Sequence, residues 1–267
     1  MELIRYNGNF AKCKTQIESA NQRIATAREG MRDRIKQGGN SHYQEEGCWH
    51  PEGTARIDRK NYWCLGKFAP TTKYPQETLD ANRNGNYLSL TEEIKIGKKP
   101  ASQLIKEIAE EDSILPDYKK RILIPKNQRN FSVQTNSLGD VDILVFLARN
   151  QKSAEKYGKF LNEKYRIKTI NFYQIGSDYD NVASGFWLCR LDHGNDSYFD
   201  GYDRSFYNDD GSLFGVAKHK VLSQEKNSVK PTQKILQYNP NDLKILQGVR
   251  KGDLAPKSLE IIIKRFL

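Results

Sequence analysis

Apolar or small residues recur at alternating steps of three and four in the first part of the chain, which is the spacing of one helix face. The pattern predicts one helix from about Asn9 to Gln37, after a short strand at Glu2–Tyr6. The remaining positions are largely basic. We expect the apolar face to pack on the core of the same chain, and the alternative is a homodimer through helix 9–37. The repeating positions are Phe10, Cys13, Ile17, Ala20, Ile24, Ala27 and Met31.

The middle of the chain changes from a polar stretch to strands and a helix. Residues 39–60 read as a loop because they are polar and hold no sustained period. Alternation with a period of two then predicts strands at Tyr62–Phe68 and Tyr87–Ile96. Helical spacing, opened by a proline in its first turn, predicts a helix over Pro100–Asp112.

The strongest apolar run of the chain begins a unit that extends to Ile175. Val141–Leu147 reads as a buried strand, residues 152–165 as a helix, and Ile167–Tyr173 as a second strand. A strand, a helix and a strand in this order predict a βαβ crossover, so part of the sheet is expected to be parallel.

Beyond Gly176 the pattern predicts short antiparallel strands joined by Asp- and Gly-rich turns, and then a helical tail. The fold class expected from these elements is mixed α+β: a central mixed sheet with a βαβ crossover, a long basic N-terminal helix, antiparallel hairpins and a helical tail. We expect three regions: an α/β core at 1–175, an acidic, aromatic hairpin region at 176–217, and a basic helical tail at 218–267.

The formal net charge of +10 is distributed unevenly along the chain. Residues 171–217 hold eight Asp against two Arg, which gives −6. Residues 218–267 hold eleven Lys or Arg against four Asp or Glu, which gives +7, so the other 170 residues carry +9. The basic excess therefore belongs to the body and the tail, with an acidic stretch between them.

This basic excess indicates an anionic partner, and nucleic acid is the commonest one for a cytosolic chain. The alternative is that the cations only solvate helix faces. The acidic stretch would repel phosphates, so we expect a protein partner there. The cations expected to contact nucleic acid are Arg23, Arg28, Arg32, Arg34, Lys98, Lys99, Arg250, Lys251, Lys264 and Arg265.

Glu93 and Lys95 flank Ile94 on a predicted strand that precedes a helix. Residues i and i+2 share a strand face, so the carboxylate and the ammonium group can point at one site. With an upstream acid such as Asp80, the carboxylates can hold Mg²⁺ while the lysine steadies an attacking water. The pattern resembles that of PD-(D/E)XK nucleases, which implies hydrolysis by Glu93, Lys95 and Asp80. The alternative is that Glu93 and Lys95 only belong to a solvent-exposed face of the sheet.

Two other clusters are candidates for a metal. Asp140 and Asp142 share a face of the predicted strand and could join Glu93, although active sites in open α/β sheets favour the opposite strand ends. The expected magnesium ligands are Asp80, Glu93, Asp140 and Asp142.

Cys48, His50 and Cys64 are potential zinc ligands, but their spacing matches no usual zinc motif. A loop that leads into a strand is the alternative for these residues. Whether they bind zinc stays open at this point.

Several classes of protein are excluded by what the sequence lacks. The longest apolar run, Val141–Ala148, is far shorter than the roughly 20 residues of a membrane-spanning helix. Phosphate-binding, dinucleotide-binding, esterase and zinc-protease motifs do not occur. The first residues do not resemble a signal peptide, so we expect a cytoplasmic location.

Two functions therefore stand as hypotheses. The first is a metal-dependent nuclease that acts on DNA or RNA, with Mg²⁺ at the Glu-x-Lys site. The second is a non-enzymatic nucleic-acid-binding protein, whose basic helix and tail contact the phosphates while the acidic region recruits a partner. A third, weaker hypothesis is a structural or inhibitory protein whose target is another protein.

Overall fold

The computed structural model describes residues 3–38, 47–74, 78–79, 87–188, 198–201 and 211–217. All of them belong to the first of the two compact units into which the chain divides, Met1–His219 and Lys220–Leu267. The predicted tail at 218–267 and the predicted strand at residues 202–207 lie outside the described residues.

The described helices and strands alternate along the chain without a simple repeat. The helices are α1 (Phe10–Ser19), α2 (Ala27–Gln37), α3 (Ala101–Glu111), α4 (Asp142–Ala148) and α5 (Gln151–Tyr165). The strands are β1 (Ile4–Asn7), β2 (Gln22–Ile24), β3 (Cys48–Ile57), β4 (Lys60–Cys64), β5 (Leu88–Ser89), β6 (Lys95–Ile96), β7 (Lys99–Pro100), β8 (Ile122–Leu123), β9 (Phe131–Gln134), β10 (Thr169–Tyr173), β11 (Val182–Leu188), β12 (Tyr198–Asp200) and β13 (Ser212–Ala217).

Eight of these strands form one curled, mixed sheet. Its order is β8-β4-β3-β11-β12-β10-β9, and β5 also pairs with β11. Among the described residues β10 and β12 are the one parallel pair. A second, antiparallel sheet has the order β1-β13-β2, and β6 and β7 form a separate hairpin. The predicted α+β class is therefore confirmed, because helices pack on a large mixed sheet.

The large sheet separates two apolar clusters, and alternate residues of its central strands enter opposite clusters. On β4, Trp63 enters one cluster while Tyr62 and Cys64 enter the other. The strands β3 and β11 behave in the same way. Because both faces of these strands are buried, apolar residues can occupy consecutive positions, as Tyr62, Trp63 and Cys64 do on β4.

The predicted single helix over 9–37 is wrong, because two helices and a strand occupy this segment. After α1, Asn21 adopts a left-handed conformation with φ of 53°, and β2 then pairs with β13. At the start of α2, the Thr26 side chain accepts a hydrogen bond from the Glu29 N–H, and the Glu29 carboxylate accepts one from the Thr26 N–H. Each short helix buries its own apolar face in the chain, so no continuous seam exists for a dimer partner.

The loop predicted at 39–60 is wrong from residue 48 onward, because β3 is a central strand paired on both edges. Residues 39–46 lie outside the described residues. The pairing of β3 with β11 shifts register between Gly185 and Phe186, so Pro51 and Glu52 fall in a bulge. A bulge tolerates a proline because the ladder needs no N–H there.

The predicted strand Val141–Leu147 is wrong, because this segment forms α4. Helix α4 packs against α2, α5 and the turn at Asp117–Lys119, and all seven of its residues are buried. A short helix that is covered on all sides has the same apolar run as a buried strand. The following helix and strand are confirmed as α5 and β10, but the predicted βαβ crossover is not formed.

The remaining predicted elements are partly confirmed. The helix predicted at Pro100–Asp112 is α3. The strand predicted at Tyr87–Ile96 is reduced to β5 and β6, with an exposed turn between them. Within the part of the chain that the structure describes, no helix combines the length and apolar character needed to cross a membrane.

Candidate functional site

A cleft of about 810 Å³ lies between α1, the start of α2 and the bulge of β3. Its apolar lining comes from Ile17, Ile24, Leu65 and Leu147, and Pro51 of the bulge lies beside them. The volume falls within the roughly 300–1,000 Å³ that is usual for small-molecule sites. We call this feature the cleft.

Cations outnumber carboxylates in the lining of the cleft by seven to three. The carboxylates are Glu18, Glu29 and Glu52, and the cations are Lys14, Arg23, Arg28, Arg32, Lys67, Lys73 and Arg149. Of these seven cations, only Arg23 forms an ion pair among the described residues. Among the described residues, the lining of the cleft therefore carries an excess of positive charge.

The start of α2 forms one wall of the cleft through a tightly held ion pair. The Arg23 guanidinium donates two hydrogen bonds to the Glu29 carboxylate, with Nη1–Oε2 at 2.7 Å and Nη2–Oε1 at 2.6 Å. Burial opposes ionisation of Glu29, but the bonds from Arg23 and from the Thr26 N–H outweigh it and lower its pKa to about 2. This carboxylate stays ionised, so Arg23 is already neutralised.

Glu52 is the buried carboxyl group of the cleft, with 3% of its surface exposed. Its Oε2 accepts a hydrogen bond of 3.0 Å from the N–H of Ala27, the first residue of α2. Burial raises the pKa of Glu52 to about 7, and the charge of Glu29 acts in the same direction. This carboxyl group therefore keeps its proton to a higher pH than an ordinary glutamate does.

Arg28 and Arg149 bring like charges together in the cleft. Arg149 follows α4 in a left-handed conformation with φ of 58°, and its guanidinium donates to the Lys120 carbonyl. Burial, and then repulsion by Arg28, lowers the pKa of Arg149. An anion between two guanidinium groups would relieve this repulsion and satisfy their remaining donors.

The predicted catalytic residues are not brought to this cleft. Glu93 lies in an exposed turn and Lys95 is exposed on the short strand β6. Asp80 lies outside the described residues. The Glu-x-Lys pattern thus falls on a turn and a two-residue strand, where the shared face of a regular strand is missing.

The predicted magnesium ligands are also dispersed. Asp142 is buried, and its carboxylate accepts hydrogen bonds from the N–H of Lys126 at 2.6 Å and of Ile143 at 2.8 Å. Asp140 is exposed at the end of a turn. The described residues contain no group of three or more His, Cys, Asp or Glu side chains that could hold a metal.

The potential zinc ligands lie on two sides of the sheet. Cys48 Sγ and His50 Nε2 are 3.4 Å apart, but Cys64 enters the other apolar cluster. His50 Nδ1 lies 3.0 Å from the Ala25 carbonyl oxygen, which only accepts, so this nitrogen carries a proton. Burial lowers the pKa of His50 to about 4, which keeps the ring neutral.

The predicted nucleic-acid contacts are separated by the fold. Arg23, Arg28 and Arg32 line the cleft. Arg34 is fully buried and donates to the Tyr157 hydroxyl at 2.8 Å, so it is a core residue. The exposed residues Lys98 and Lys99 lie on the β6-β7 hairpin, where Lys99 pairs with Glu107. Arg250, Lys251, Lys264 and Arg265 lie outside the described residues.

Sequence reasoning missed Glu52 and Arg149 as residues of the cleft. Glu52 follows Pro51 in a stretch that reads as loop, so its burial in a bulged central strand leaves no local signal. Arg149 follows a run that was interpreted as a strand. By contrast, Thr26 and Glu29 have the spacing of a capping box, which is a signal visible in the sequence.

Neither a protein-family model nor a curated protein matches the chain. A solved structure does resemble this chain. It is described by the words "Accommodation of massive sequence variation in Nanoarchaeota by the C-type lectin fold". The two chains are 11% identical, and the match has a TM-score of 0.56. It covers 80% of this chain and 97% of the other.

This comparison corrects the function predicted from the sequence. The predictions of a nuclease and of a nucleic-acid-binding protein are both wrong, because the similar structure has a C-type lectin fold and nothing supports phosphodiester hydrolysis. Charge and a three-residue motif were an insufficient basis for either. At 11% identity the likeness extends to the fold, and it is the C-type lectin fold that this chain shares.

Proposed function

We propose that the protein is a binding protein that takes a small organic anion in the cleft. The observation that carries this proposal is the pair Arg28 and Arg149, two like charges in one lining that repel each other and form no ion pair with a described residue. Buried Glu52 lies in the same lining, and burial raises its pKa to about 7. A carboxylate or phosphate on the ligand would complete this arrangement.

The size and composition of the cleft support a ligand about as large as a monosaccharide or disaccharide. Apolar side chains such as Ile17 and Leu147 can cover its carbon atoms, while the guanidinium groups bind its charged end. Arginine suits this role because its planar fork matches the two oxygens of a carboxylate or phosphate. A sugar acid satisfies both requirements.

The comparison supports binding by analogy of fold. The similar structure is described as accommodating massive sequence variation, so its fold tolerates many different residues. A scaffold with this tolerance suits proteins whose sites differ in ligand. The residues of the cleft, and not the analogy, determine the anionic ligand class.

Protonation of Glu52 should adjust the affinity. The groups that face it are the Ala27 N–H, Glu29 and Arg149. When protonated, Glu52 can donate a hydrogen bond to an oxyanion, and when ionised it repels one. We therefore expect the affinity for an anion to fall as the pH rises through about 7.

Isothermal titration with two ligands of similar size tests the proposal. Glucuronate is expected to bind more tightly than methyl glucoside, because they are both sugars and differ chiefly in the carboxylate. Arg28→Met should weaken glucuronate binding by about tenfold, as expected for loss of one charged hydrogen bond. Arg166→Met is the matched control, because Arg166 is exposed and lies outside the lining.

Two results would contradict the proposal. One is equal affinity for glucuronate and methyl glucoside, and the other is unchanged glucuronate binding in Arg28→Met. Citrate and inorganic phosphate should be titrated in parallel, because they separate a preference for sugar acids from a preference for anions in general.

We also infer that the protein works in a reducing cytoplasm, as the sequence predicts. Cys13, Cys48 and Cys64 are buried and form no disulfide among the described residues, which supports this inference. Burial raises the pKa of the Cys64 thiol, so the thiol is kept in its unreactive, protonated form.

A further inference from the structure

A second pocket, of about 490 Å³, lies where β3 and β10 end. Three arginines line it, namely Arg56 at the end of β3, Arg59 in the turn between β3 and β4, and Arg129 in the loop before β9. We call it the arginine pocket. Its lining shares no residue with that of the cleft and, as far as the structure describes it, includes no carboxylate.

Arg56 is the unusual residue of this pocket, because it is 94% buried and has no partner among the described residues. Its Nε is shielded from solvent and makes no hydrogen bond. The two Nη atoms of Arg56 are not shielded from solvent in this way. Because Arg56 lines the pocket, we infer that these atoms reach its open space. A buried guanidinium without a partner is costly unless a ligand or water satisfies it.

Hydrogen bonds hold the wall of the pocket in place. The Gln174 side chain donates to the carbonyls of Asn127 and Arg129 at 2.6 and 3.0 Å, and its N–H donates to Asn130 Oδ1 at 2.8 Å. Asn61 donates from Nδ2 to the carbonyls of Gln128 and Ile175 at 3.0 and 3.2 Å. The loop that carries Arg129 is therefore fixed before any ligand arrives.

Arg59 is placed at the pocket by a two-residue hairpin turn. Asp58 and Arg59 both have left-handed backbones, with φ of 50° and 63°, as a type I′ turn requires. The Arg59 N–H donates to Asp180 Oδ1 at 3.1 Å, which ties the turn to the segment before β11. A bulky residue is disfavoured at such a φ, so the turn itself does not account for an arginine here.

We propose that the arginine pocket binds a phosphate group, either as free phosphate or as the phosphate of a small phosphomonoester. Three guanidinium groups without a carboxylate in the lining suit a doubly charged anion better than a singly charged carboxylate. The ligand satisfies the Nη donors of Arg56 and neutralises the mutual repulsion of the three arginines. This site is independent of the anion proposed for the cleft.

Titration of the full chain with inorganic phosphate, glycerol 3-phosphate and acetate at constant ionic strength tests this proposal. We expect saturable binding of phosphate with one site per chain in the Arg28→Met background, which weakens the cleft. Arg56→Met is expected to weaken this binding by about tenfold or more, and Arg166→Met should leave it unchanged. Arg129→Met provides a second variant at an exposed position, in case Arg56→Met does not fold.

The two phosphate probes distinguish the source of the ligand. Tighter binding of glycerol 3-phosphate would identify a phosphomonoester, and equal binding would identify free phosphate as sufficient. Acetate binding as tight as phosphate binding would overturn the assignment. Absence of saturable phosphate binding, or equal phosphate binding by wild type, Arg56→Met and Arg129→Met, would also overturn it. Each result is independent of how Arg28→Met affects glucuronate.

Discussion

The cleft and the arginine pocket treat buried charge in opposite ways. In the cleft, Arg23 is neutralised by Glu29 in a geometry with two hydrogen bonds, and burial raises the pKa of the acid Glu52 to about 7. In the arginine pocket, Arg56 is just as deeply buried as Glu52 but has no partner among the described residues. The cleft compensates part of its positive charge with its own carboxylates. In the arginine pocket, we propose that a bound ligand compensates the charge of Arg56.

The difference shows two ways in which a protein can bury charge in a pocket. A buried acid avoids the cost of its charge by taking up a proton, whereas an arginine would have to lose a proton and does not do so at any ordinary pH. The free-energy cost of burying a glutamate therefore appears as a pH dependence of the protein's stability. A buried arginine shows its cost through stability at all pH values, or through affinity for an anion.

The largest expected effect is the pH dependence that Glu52 imposes on stability. Its pKa in the folded protein is about 7, above its ordinary value of 4.5. Between these values the unfolded chain loses a proton that the folded chain keeps, so the free energy of unfolding falls as the pH rises, by about 3 kcal/mol in all. Glu52→Gln should remove this fall.

Urea unfolding of both proteins at pH 5 and pH 8 measures the effect of Glu52. Wild type should lose stability relative to Glu52→Gln between these two pH values. Glu18→Gln is the control, because Glu18 lies in the same cleft but is exposed. A constant difference between wild type and Glu52→Gln across this range would contradict the predicted protonation of Glu52.

The next effect separates two buried arginines. Arg34 is fully buried and donates to the Tyr157 hydroxyl, so Arg34→Met should destabilise the protein by about 2 kcal/mol through loss of that bond. Arg56→Met removes a buried charge without a partner, so it should stabilise the protein by about 1 kcal/mol in the absence of ligand.

Thermal unfolding in phosphate-free buffer compares these two variants. Changes of opposite sign would support the interpretation that Arg34 is structural and Arg56 binds a ligand. A clear loss of stability in Arg56→Met would mean that the guanidinium is compensated within the protein. The comparison is sharpened by added phosphate, which should stabilise wild type but not Arg56→Met.

The sequence predicts the fold class and several elements correctly, because α3, α5 and β10 have clear local periods. It does not predict β3, because the buried residues of this strand include polar ones such as Glu52 and Arg56. It does not predict α4 as a helix, because a helix that is buried on all sides has an apolar run without a period. The break between α1 and α2 is indicated by the capping box at Thr26 and Glu29. The regular repeat around it was the stronger signal, and it was misleading.

The sites were less predictable than the fold, for a physical reason. Glu52, Arg56 and Arg149 acquire their properties from burial, which depends on residues distant in sequence. Arg28 was predicted to contact nucleic acid, and the structure places it in the lining of the cleft, but the predicted nucleic-acid function is wrong. Nothing near Glu93 and Lys95 indicates that a turn and a short strand replace the expected regular strand.

A smaller effect is expected at the start of α2. Glu29→Ala removes the capping box and the partner of Arg23, which should cost about 1–2 kcal/mol at neutral pH. The pKa of Glu29 is lowered to about 2, so its contribution is present above its ordinary pKa of 4.5 and is lost as the pH falls through 2. Urea unfolding of Glu29→Ala and wild type at pH 7 and pH 3 checks this, with the conservative Thr26→Ser as a control. A cost that does not shrink at the lower pH would contradict it.

The smallest effect compares Arg59 with Arg166, two exposed arginines with left-handed backbones. Their φ values are 63° and 57°, so glycine should relieve similar strain at both positions and stabilise each variant by about 0.5 kcal/mol after its greater chain entropy is counted. Only Arg59 lines the arginine pocket, so only Arg59→Gly should also weaken phosphate binding. Thermal unfolding and phosphate titration of the two variants measure the two properties separately.

If Arg166→Gly lost phosphate affinity to the same extent, net charge and not the pocket would account for the binding. If Arg59→Gly gained stability and kept its affinity, the ligand would not contact the turn, and Arg56 and Arg129 would have to hold it alone.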